Sequence, residues 1–312
     1  MFYNAAQIKQ MMNEGEMSPR KDLGQNFLID RNMLEKILHA ADVGRTDTVL
    51  EIGAGFGAIT GELAKRAKKV VAVEFDRKLA EFLRESYAGN ARVEVKEGDI
   101  LSLSIEHENR EELLCRSASP ARLLIANERA GRKDNFRTAS IRVPEQYIIV
   151  ANLPYSIATA VIKKFFSLAA KPSRMVVLAQ EEVARRIIAV PPAMSVLAVS
   201  VQFYALPEIV FHLPQNCFWP VPSVGSSVLR IAIRRKPFCA GGHERDFFRI
   251  VKIGFSAKRK QLKNNLKAGL KISEEAIFAA FQKAGIAQNA RAQEIPIETW
   301  CALSRELGGI SL

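Results

Sequence analysis

The most constraining feature of this sequence is an alternation of short apolar runs with amphipathic stretches between residues 48 and 180. The apolar runs have the length of buried strands, whereas the amphipathic stretches have helical spacing. Such an alternation predicts an α/β fold in which helices cover both faces of a parallel sheet. The predicted strands are 48–52, 70–74, 93–95, 147–151 and 175–178, and the predicted helices are 58–67, 77–86, 157–168 and 181–190.

The pattern of apolar and polar residues changes after Pro220, which predicts a second, smaller domain. Residues 226–234 form one more strand-like run, residues 235–242 have the character of a linker, and the apolar residues beyond have helical spacing. We therefore predict an α/β domain over residues 1–235 and a small helical domain over residues 236–312, whose phenylalanines form its core. Residues 104–145 are highly charged and longer than a usual crossover, and we interpret them as an inserted surface segment.

Several classes of protein find no support in the sequence. No apolar run approaches the roughly 20 residues of a membrane helix, and the first residues lack the pattern of a secretory signal. The four cysteines include no C-x-x-C pair, and the four histidines are dispersed. This spacing argues against a metal site and against a disulfide scaffold, and we expect a cytoplasmic protein without a metal.

The net charge of +12 is concentrated toward the C-terminus. From Arg230 onward 16 Lys or Arg stand against 7 Asp or Glu, and residues 247–273 contain eight basic residues and no acid. Such a surface attracts a phosphate backbone, although a short basic run is often only a solvated helix face. The candidate nucleic-acid contacts are Arg249, Lys252, Lys258, Arg259, Lys260, Lys263 and Lys267.

Residues with ligand-binding character follow four of the predicted strands. A glycine-rich turn that begins at Gly53 follows the first, Glu74 ends the second, Asp99 follows the third and Asn152 follows the fourth. The carboxyl ends of the strands are where open α/β sheets bind ligands. Glu74 can accept hydrogen bonds from ribose hydroxyls, and Asp99 can accept one from an adenine amino group, although Asp99 alone could equally be a turn residue.

The motif Asn152-Leu153-Pro154-Tyr155 has the chemistry to hold a flat base that carries an amine. The Asn152 amide oxygen and the Leu153 carbonyl can each accept from the amine, and Pro154 fixes the φ that aims this carbonyl. Tyr155 provides a face for stacking. A strand-ending turn uses the same residue types, so the motif alone does not separate binding from structure.

Taken in order, these motifs resemble those of the ribosomal RNA adenine N6-dimethyltransferase family over about residues 21–270. Further matching motifs are GQNFL at 24–28, FWPVP at 218–222 and KRKQL at 258–262. The resemblance is closest to the branch that dimethylates adjacent adenines near the 3′ end of small-subunit ribosomal RNA, because Leu153 stands where large-subunit methylases typically carry Ile. It implies a Rossmann-like methyltransferase fold and S-adenosylmethionine as the methyl donor.

The resemblance also implies roles for residues of the cofactor site. Asn26 and Leu28 would close over the cofactor, and Gly53 would lie beneath its methionine part. Glu74 would hold the ribose and Asp99 the adenine amine.

For the substrate, the resemblance implies that Asn152 lies between cofactor and target base. Leu153 and Tyr155 would complete the base site, and Phe218 would form a second aromatic wall. The implied partner is small-subunit ribosomal RNA or the immature small subunit, and we expect a monomer. Gly225 departs from the family, which usually has Asp at this position.

Three alternatives remain open at this point. The first is the same chemistry on large-subunit RNA, and the second is an RNA-binding assembly factor without turnover. The third is a nicotinamide dehydrogenase, which shares the ribose-binding acid. The G-x-G-x-G spacing departs from the dinucleotide fingerprint, and the basic C-terminal part is unexplained by a dehydrogenase.

Overall fold

The chain folds into two compact units, described by a computed structural model over residues 2–15, 17–20, 24–108, 140–154, 156–239 and 244–308. Unit 1 comprises Met1–Glu181 and Glu208–Ile233, and unit 2 comprises Glu182–Pro207 and Arg234–Leu312. The strands are β1 (Phe27–Leu28), β2 (Thr48–Ile52), β3 (Lys69–Glu74), β4 (Val93–Glu97), β5 (Ser104–His107), β6 (Ser140–Val143), β7 (Ile148–Asn152), β8 (Arg174–Gln180), β9 (Ala205–Leu213), β10 (Phe218–Trp219) and β11 (Ser226–Ile233).

Among the described residues, the first six helices are α1 (Ala5–Glu14), α2 (Arg31–Ala41), α3 (Ala58–Arg66), α4 (Arg77–Ser86), α5 (Ala158–Ser167) and α6 (Glu181–Ile187). The helices that follow are α7 (Val196–Tyr204), α8 (Glu244–Gly254), α9 (Leu262–Leu270), α10 (Glu274–Ala284) and α11 (Ile297–Leu307). Every strand and helix predicted between residues 48 and 190 is present, with ends that shift by no more than three residues.

Unit 1 is organised by a seven-stranded sheet with the order β4-β3-β2-β7-β8-β11-β9. The first five strands run parallel, and β11 pairs antiparallel with β8. All five residues of β2 are buried, as is expected of a parallel strand covered on both faces. The predicted α/β architecture is confirmed. The parallel pairing brings the carboxyl ends of β4, β3, β2 and β7 to one edge of the sheet.

The N-terminal helix α1 was not predicted from the sequence. Asn4 caps it through a reciprocal capping box with Gln7, which satisfies backbone donors that the first turn leaves open. Its buried face presents Ile8 and Met12 to a cluster that contains Phe27 and Phe56. The helix therefore forms part of the core beside the glycine-rich turn.

The ends of the predicted insertion are ordered strands. β5 and β6 pair in parallel, with Ser104 opposite Ser140 and His107 opposite Val143. Ile141 and Val143 are fully buried, so this part of the segment is not a surface excursion. The remainder, residues 109–139, lies outside the described residues.

The predicted domain boundary misplaces Glu182–Pro207, which belongs to unit 2. The reason is burial: Met194, Val199 and Phe203 pack in the same core as Phe247 and Trp300. The sequence pattern of α7 is apolar on nearly all sides and gives no sign of which core receives it. Unit 2 is therefore assembled from two separate stretches of chain.

Aromatic side chains form the centre of unit 2, as predicted, although Phe278, also predicted as core, lies outside this cluster. The rings of Phe203 and Phe247 lie 4.5 Å apart, and Phe255 stacks on Trp300 at 5.5 Å. Phe281 is buried in the same cluster. These residues are occupied by packing and are not free to stack on a nucleic-acid base.

Cys239 and Cys301 form a disulfide within unit 2, with Cα atoms 5.8 Å apart. The cysteine spacing gave no reason to expect a disulfide, and for this pair the interpretation was wrong. The two residues are 62 positions apart in sequence, and they meet because both pack on the unit 2 core. Within the described ranges, no helix combines the length and apolar character that crossing a bilayer requires.

Gly254 provides a test of the packing in unit 2. A Cβ at this position would overlap with the Trp300 ring and approach Leu262 Cδ1 to 2.9 Å. We expect Gly254→Ala to lower the free energy of unfolding by about 1–3 kcal/mol through overpacking. Gly89→Ala, where a Cβ would meet no atom within 4 Å, is the control. Equal urea midpoints for both variants would contradict this packing.

Candidate functional site

A cavity of about 250 Å³ opens in unit 1 at the carboxyl ends of β2, β3, β4 and β7. The cavity lies where it does because these four strands are parallel neighbours, and their carboxyl ends therefore meet at the same edge of the sheet. Of the predicted site residues, those that line it are Asn26, Leu28, Gly53, Glu74, Asp99, Asn152, Leu153 and Phe218. Tyr155 lies outside the described residues.

The backbone of Gly53 passes directly against the backbone of Asn152. Gly53 has φ +77°, and a Cβ there would overlap with the Asn152 carbonyl oxygen and lie 3.4 Å from its carbonyl carbon. Only glycine suits this position, because it accepts a positive φ and has no Cβ to overlap with the Asn152 carbonyl. The end of β2 therefore lies against the end of β7, and the glycine turn and the Asn152 motif form one site.

The side chain of Asn152 is oriented by a hydrogen bond. Its Nδ2 donates to the Asn26 carbonyl at 3.2 Å, and Asn26 Nδ2 in turn donates to the Gly24 carbonyl at 3.0 Å. This network assigns the amide orientation, because the donor must face the carbonyl. No described residue donates to Asn152 Oδ1, which leaves this oxygen as an acceptor for a ligand.

Glu74 is buried at the end of β3 and is held by two backbone donors. Its Oε2 accepts from the Gly55 N–H at 2.8 Å, and its Oε1 accepts from the Asp76 N–H at 2.9 Å. Burial raises the pKa of Glu74, and these hydrogen bonds act in the opposite direction. A carboxylate has about four acceptor positions, so these bonds do not exhaust the acceptor capacity that Glu74 presents at the cavity.

Glu51 is a second buried carboxyl that the sequence analysis did not single out. It is 1% exposed, and burial raises its pKa from 4.5 to about 8, with a further upward contribution from Glu74. Thr60 acts in the opposite direction, although neither Glu51 oxygen nor the Thr60 hydroxyl has a hydrogen-bond partner. Glu51 is therefore expected to be protonated at neutral pH, which removes repulsion with Glu74.

Asp99 follows β4 and stabilises the turn beyond it. Its Oδ1 accepts from the Leu101 N–H at 2.8 Å, and its Oδ2 accepts from the Ser102 hydroxyl at 3.2 Å. Asp99 thus organises a turn and also lines the cavity, and its hydrogen bond with an adenine amino group stays a prediction.

Phe218 has a different environment from the one expected of an open stacking wall. It pairs with Leu28 across the short β1–β10 ladder, and only 2% of it is exposed. It lies at the cavity lining with most of its ring in the core. Its role as a wall for a base stays a prediction.

Several residues that line the cavity were not singled out by the sequence analysis, and three of them are aromatic or come from the N-terminal segment. Tyr3 and Ile8 come from the N-terminal segment, and Phe75 follows Glu74 directly. Phe75 is 52% exposed. Phe75 could have been assigned to the cavity from the sequence, because it directly follows Glu74.

The seven basic residues predicted in unit 2 fall into two groups. Arg249 pairs with Asp246 at 3.4 Å, and Lys263 and Lys267 both pair with Glu274 at 3.2 Å. The others are exposed and make no ion pair with the described residues; they are Lys252, Lys258, Arg259 and Lys260. The second group is better suited to phosphate, because no acid competes for it. Among the described residues, no group of His, Cys, Asp or Glu is suited to hold a metal ion.

Gly225 lies beside Glu181 in unit 1. A Cβ on Gly225 would lie 3.4 Å from Glu181 Oε2, and the Gly225 carbonyl accepts from the Glu181 N–H at 3.1 Å. An Asp at this position would bring two carboxylates together, so glycine avoids a like-charge contact here.

The geometry fits S-adenosylmethionine. Gly53 and Gly55 line the cavity with backbone, and positive φ at Gly55 and Gly57 continues the turn. Carboxylates at Glu74 and Asp99 provide acceptors for hydroxyls and an amine.

Comparison with known proteins agrees with this geometry. The family model described as ribosomal RNA adenine dimethylase matches residues 17–308. A ribosomal RNA small subunit methyltransferase A from Dehalococcoides mccartyi is 38% identical over 95% of this chain and 90% of its own length. A protein of the same name from Moorella thermoacetica is 35% identical over 95% of both chains.

Solved structures share the fold. The crystal structure of the 23S rRNA methyltransferase ErmE superposes with a TM-score of 0.67 at 25% identity, covering 90% of this chain and 99% of that one. A dimethyladenosine transferase from Plasmodium falciparum gives a TM-score of 0.64 at 22% identity, covering 89% and 95%. The predicted Rossmann-like methyltransferase fold is confirmed.

The raised pKa of Glu51 predicts a dependence of stability on pH. Unfolded Glu51 loses its proton near pH 4.5, whereas folded Glu51 keeps it to about pH 8. Between these two pH values the folded state binds more protons than the unfolded state. The free energy of unfolding is therefore highest below pH 4.5 and declines as the pH rises to about 8. Glu51→Gln should remove this decline and stabilise the protein at pH 8.5 by about 1–3 kcal/mol relative to wild type.

Urea unfolding between pH 5 and 9 measures this effect. Glu85→Gln, at an exposed position of α4, is the matched control and should leave the pH dependence unchanged. Parallel pH curves for Glu51→Gln and wild type would show that Glu51 is not protonated in the fold.

Proposed function

This chain belongs to the ribosomal RNA adenine dimethylase family, and on that premise we propose that it dimethylates N6 of adjacent adenines near the 3′ end of small-subunit ribosomal RNA. The observation that carries the proposal is Asn152, fixed against Gly53 with its Oδ1 free at the cavity. The small-subunit choice rests on the relatives from Dehalococcoides mccartyi and Moorella thermoacetica, which are named for that subunit.

S-adenosylmethionine, the family's donor, supplies an electrophilic methyl group on a sulfonium. We propose that Asn26 and Leu28 close the site over it and that Gly53 lies under its methionine part. Glu74 accepts from the ribose hydroxyls, and Asp99 accepts from the adenine amine. All five residues line the same cavity.

The substrate nitrogen is activated by placement rather than by a base. An adenine N6 lone pair is delocalised into the ring, so it is a poor nucleophile. Hydrogen bonds from N6–H to Asn152 Oδ1 and to the Leu153 carbonyl favour a tetrahedral nitrogen whose lone pair points at the methyl group. As the N6–CH3 bond forms, the S–CH3 bond of the sulfonium would break and leave a thioether, and the positively charged nitrogen would lose its proton to water. Catalysis rests on alignment and fixed dipoles.

The target base has to leave its stack to reach this cavity. We propose that Tyr155 and Phe218 replace the lost stacking, which is worth about 1–3 kcal/mol for each base–aromatic contact. The Phe218 ring is nearly enclosed, so it can stack on a base only if the short β1–β10 pairing opens.

The RNA backbone is bound by unit 2 in this proposal. Lys252, Lys258, Arg259 and Lys260 are the contacts that the structure supports best. The partner is small-subunit ribosomal RNA or the immature small subunit, and the protein acts as a monomer in the cytoplasm.

The three alternatives left open by the sequence analysis are not equally consistent with the family and the cavity residues. Family membership argues against the nicotinamide dehydrogenase. The intact set of Gly53, Glu74, Asp99 and Asn152 at one cavity argues against an assembly factor without turnover. Labelled-methyl transfer to immature small subunits and to naked large-subunit RNA, assayed side by side with mapping of the products, tests the choice of substrate.

Replacing Asn152 tests the proposed chemistry. Asn152→Ala removes the acceptor for N6–H and should slow methyl transfer by about 100-fold or more. S-adenosylhomocysteine should still bind within a few-fold of wild type, since the other cofactor contacts remain. Asn32→Ala, at an exposed position of α2, should transfer methyl groups normally. Wild-type transfer by Asn152→Ala would refute the assignment.

The basic group predicts the salt dependence of RNA binding. Replacing Lys258, Arg259 and Lys260 together by Gln should weaken binding and reduce the slope of log K against log salt by about two, at roughly 0.7 per phosphate contact. The double variant Lys263→Gln/Lys267→Gln should have a smaller effect, because both side chains already pair with Glu274, which offsets part of their charge. An unchanged slope in the triple variant would exclude phosphate contact there.

A further inference from the structure

Lys164 binds the turn that follows Asp99. Its Nζ donates to the carbonyl oxygens of Ile100 at 2.7 Å, Leu101 at 3.1 Å and Leu103 at 2.5 Å. An ammonium group has three N–H donors, so the turn uses all of them. The side chain comes from α5, the helix that begins shortly after the Asn152 motif.

The other polar groups of this turn are satisfied by Asp99. Its carboxylate accepts from Leu101 and Ser102, and its backbone carbonyl accepts from the N–H groups of Ser102 and Leu103 at 2.9 Å each. Asp99 thus holds the donors of the turn while Lys164 holds its acceptors. Removing Lys164 would leave three carbonyls without their partner at a half-buried position.

Lys164 is unlike a solvated surface lysine. It is half-buried and makes no ion pair with any described residue. Burial lowers the pKa of Lys164, and the negative charge of Asp99 acts in the opposite direction. The same helix carries Lys163 one position earlier, which is exposed and makes no hydrogen bond to the described residues.

We propose that Lys164 is a positioning residue of the donor site, which sets selectivity for adenine by holding Asp99, Ile100 and Leu101 at the cavity wall. These three residues line the cavity, whereas Lys164 reaches it only through their backbone. The inference rests on the proposed contact between Asp99 and the adenine amine. A hypoxanthine base presents an oxygen in place of that amine, so a fixed carboxylate rejects it and a loose one does not.

Calorimetric binding of two ligands tests this inference. The dissociation constants of S-adenosylhomocysteine and S-inosylhomocysteine are measured for wild type, Lys164→Met and Lys163→Met. Wild type and Lys163→Met should prefer the adenine ligand by about 100-fold. Lys164→Met should lower this ratio by about tenfold, mainly by weakening the adenine ligand.

The outcomes separate this inference from the proposed function. If wild type binds both ligands equally, Asp99 does not contact the amine, and both the donor-site assignment and the role of Lys164 are wrong. If wild type discriminates and Lys164→Met discriminates equally, Lys164 is structural only. Should Lys164→Met not fold, Lys164→Gln, which keeps two donors on a shorter stem, takes its place, and an unchanged ratio there again overturns the inference.

Discussion

The whole site depends on the absence of one side chain. Gly53 lets the first turn of the sheet lie against the carbonyl of Asn152, and any Cβ would push the two strand ends apart. Because β2 and β7 are hydrogen-bonded neighbours, this contact is reinforced by the sheet itself. The glycine turn and the Asn152 motif are thereby held at a fixed separation, as the proposed displacement reaction needs.

Most polar groups at the carboxyl edge of the sheet are held by hydrogen bonds to their neighbours. Gly24, Asn26 and Asn152 form a chain of donors and carbonyls that ends in one free oxygen. Glu74 is held by the amides of the turn that it helps to shape. Glu51 lies behind it as a buried acid without a partner, which costs stability in the folded state. Such costs are commonly concentrated near functional sites.

The sequence predicted well what depends on periodicity and poorly what depends on tertiary contacts. Strands with continuous apolar runs, such as β2, were recognised because both of their faces are buried. A parallel sheet places the carboxyl ends of its strands at one edge, so Gly53, Glu74 and Asn152 could be assigned to that edge from the sequence, whereas the order of the strands was not predicted. The placement of α7 in unit 2 was not predictable, because a helix that is apolar on nearly all sides does not indicate its partner. Lys164 was invisible for a similar reason, since its acceptors are backbone atoms that carry no sequence signal.

The discontinuous make-up of unit 2 has a consequence for synthesis of the chain. Chains emerge from the N-terminus at about 5–20 residues per second, and domains generally fold as units. Unit 1 is complete once Ile233 has emerged, whereas α7 must wait for Phe247 and Trp300 to enclose it. During that interval the nascent chain carries an apolar helix without its core, which makes this stage the one most in need of a chaperone.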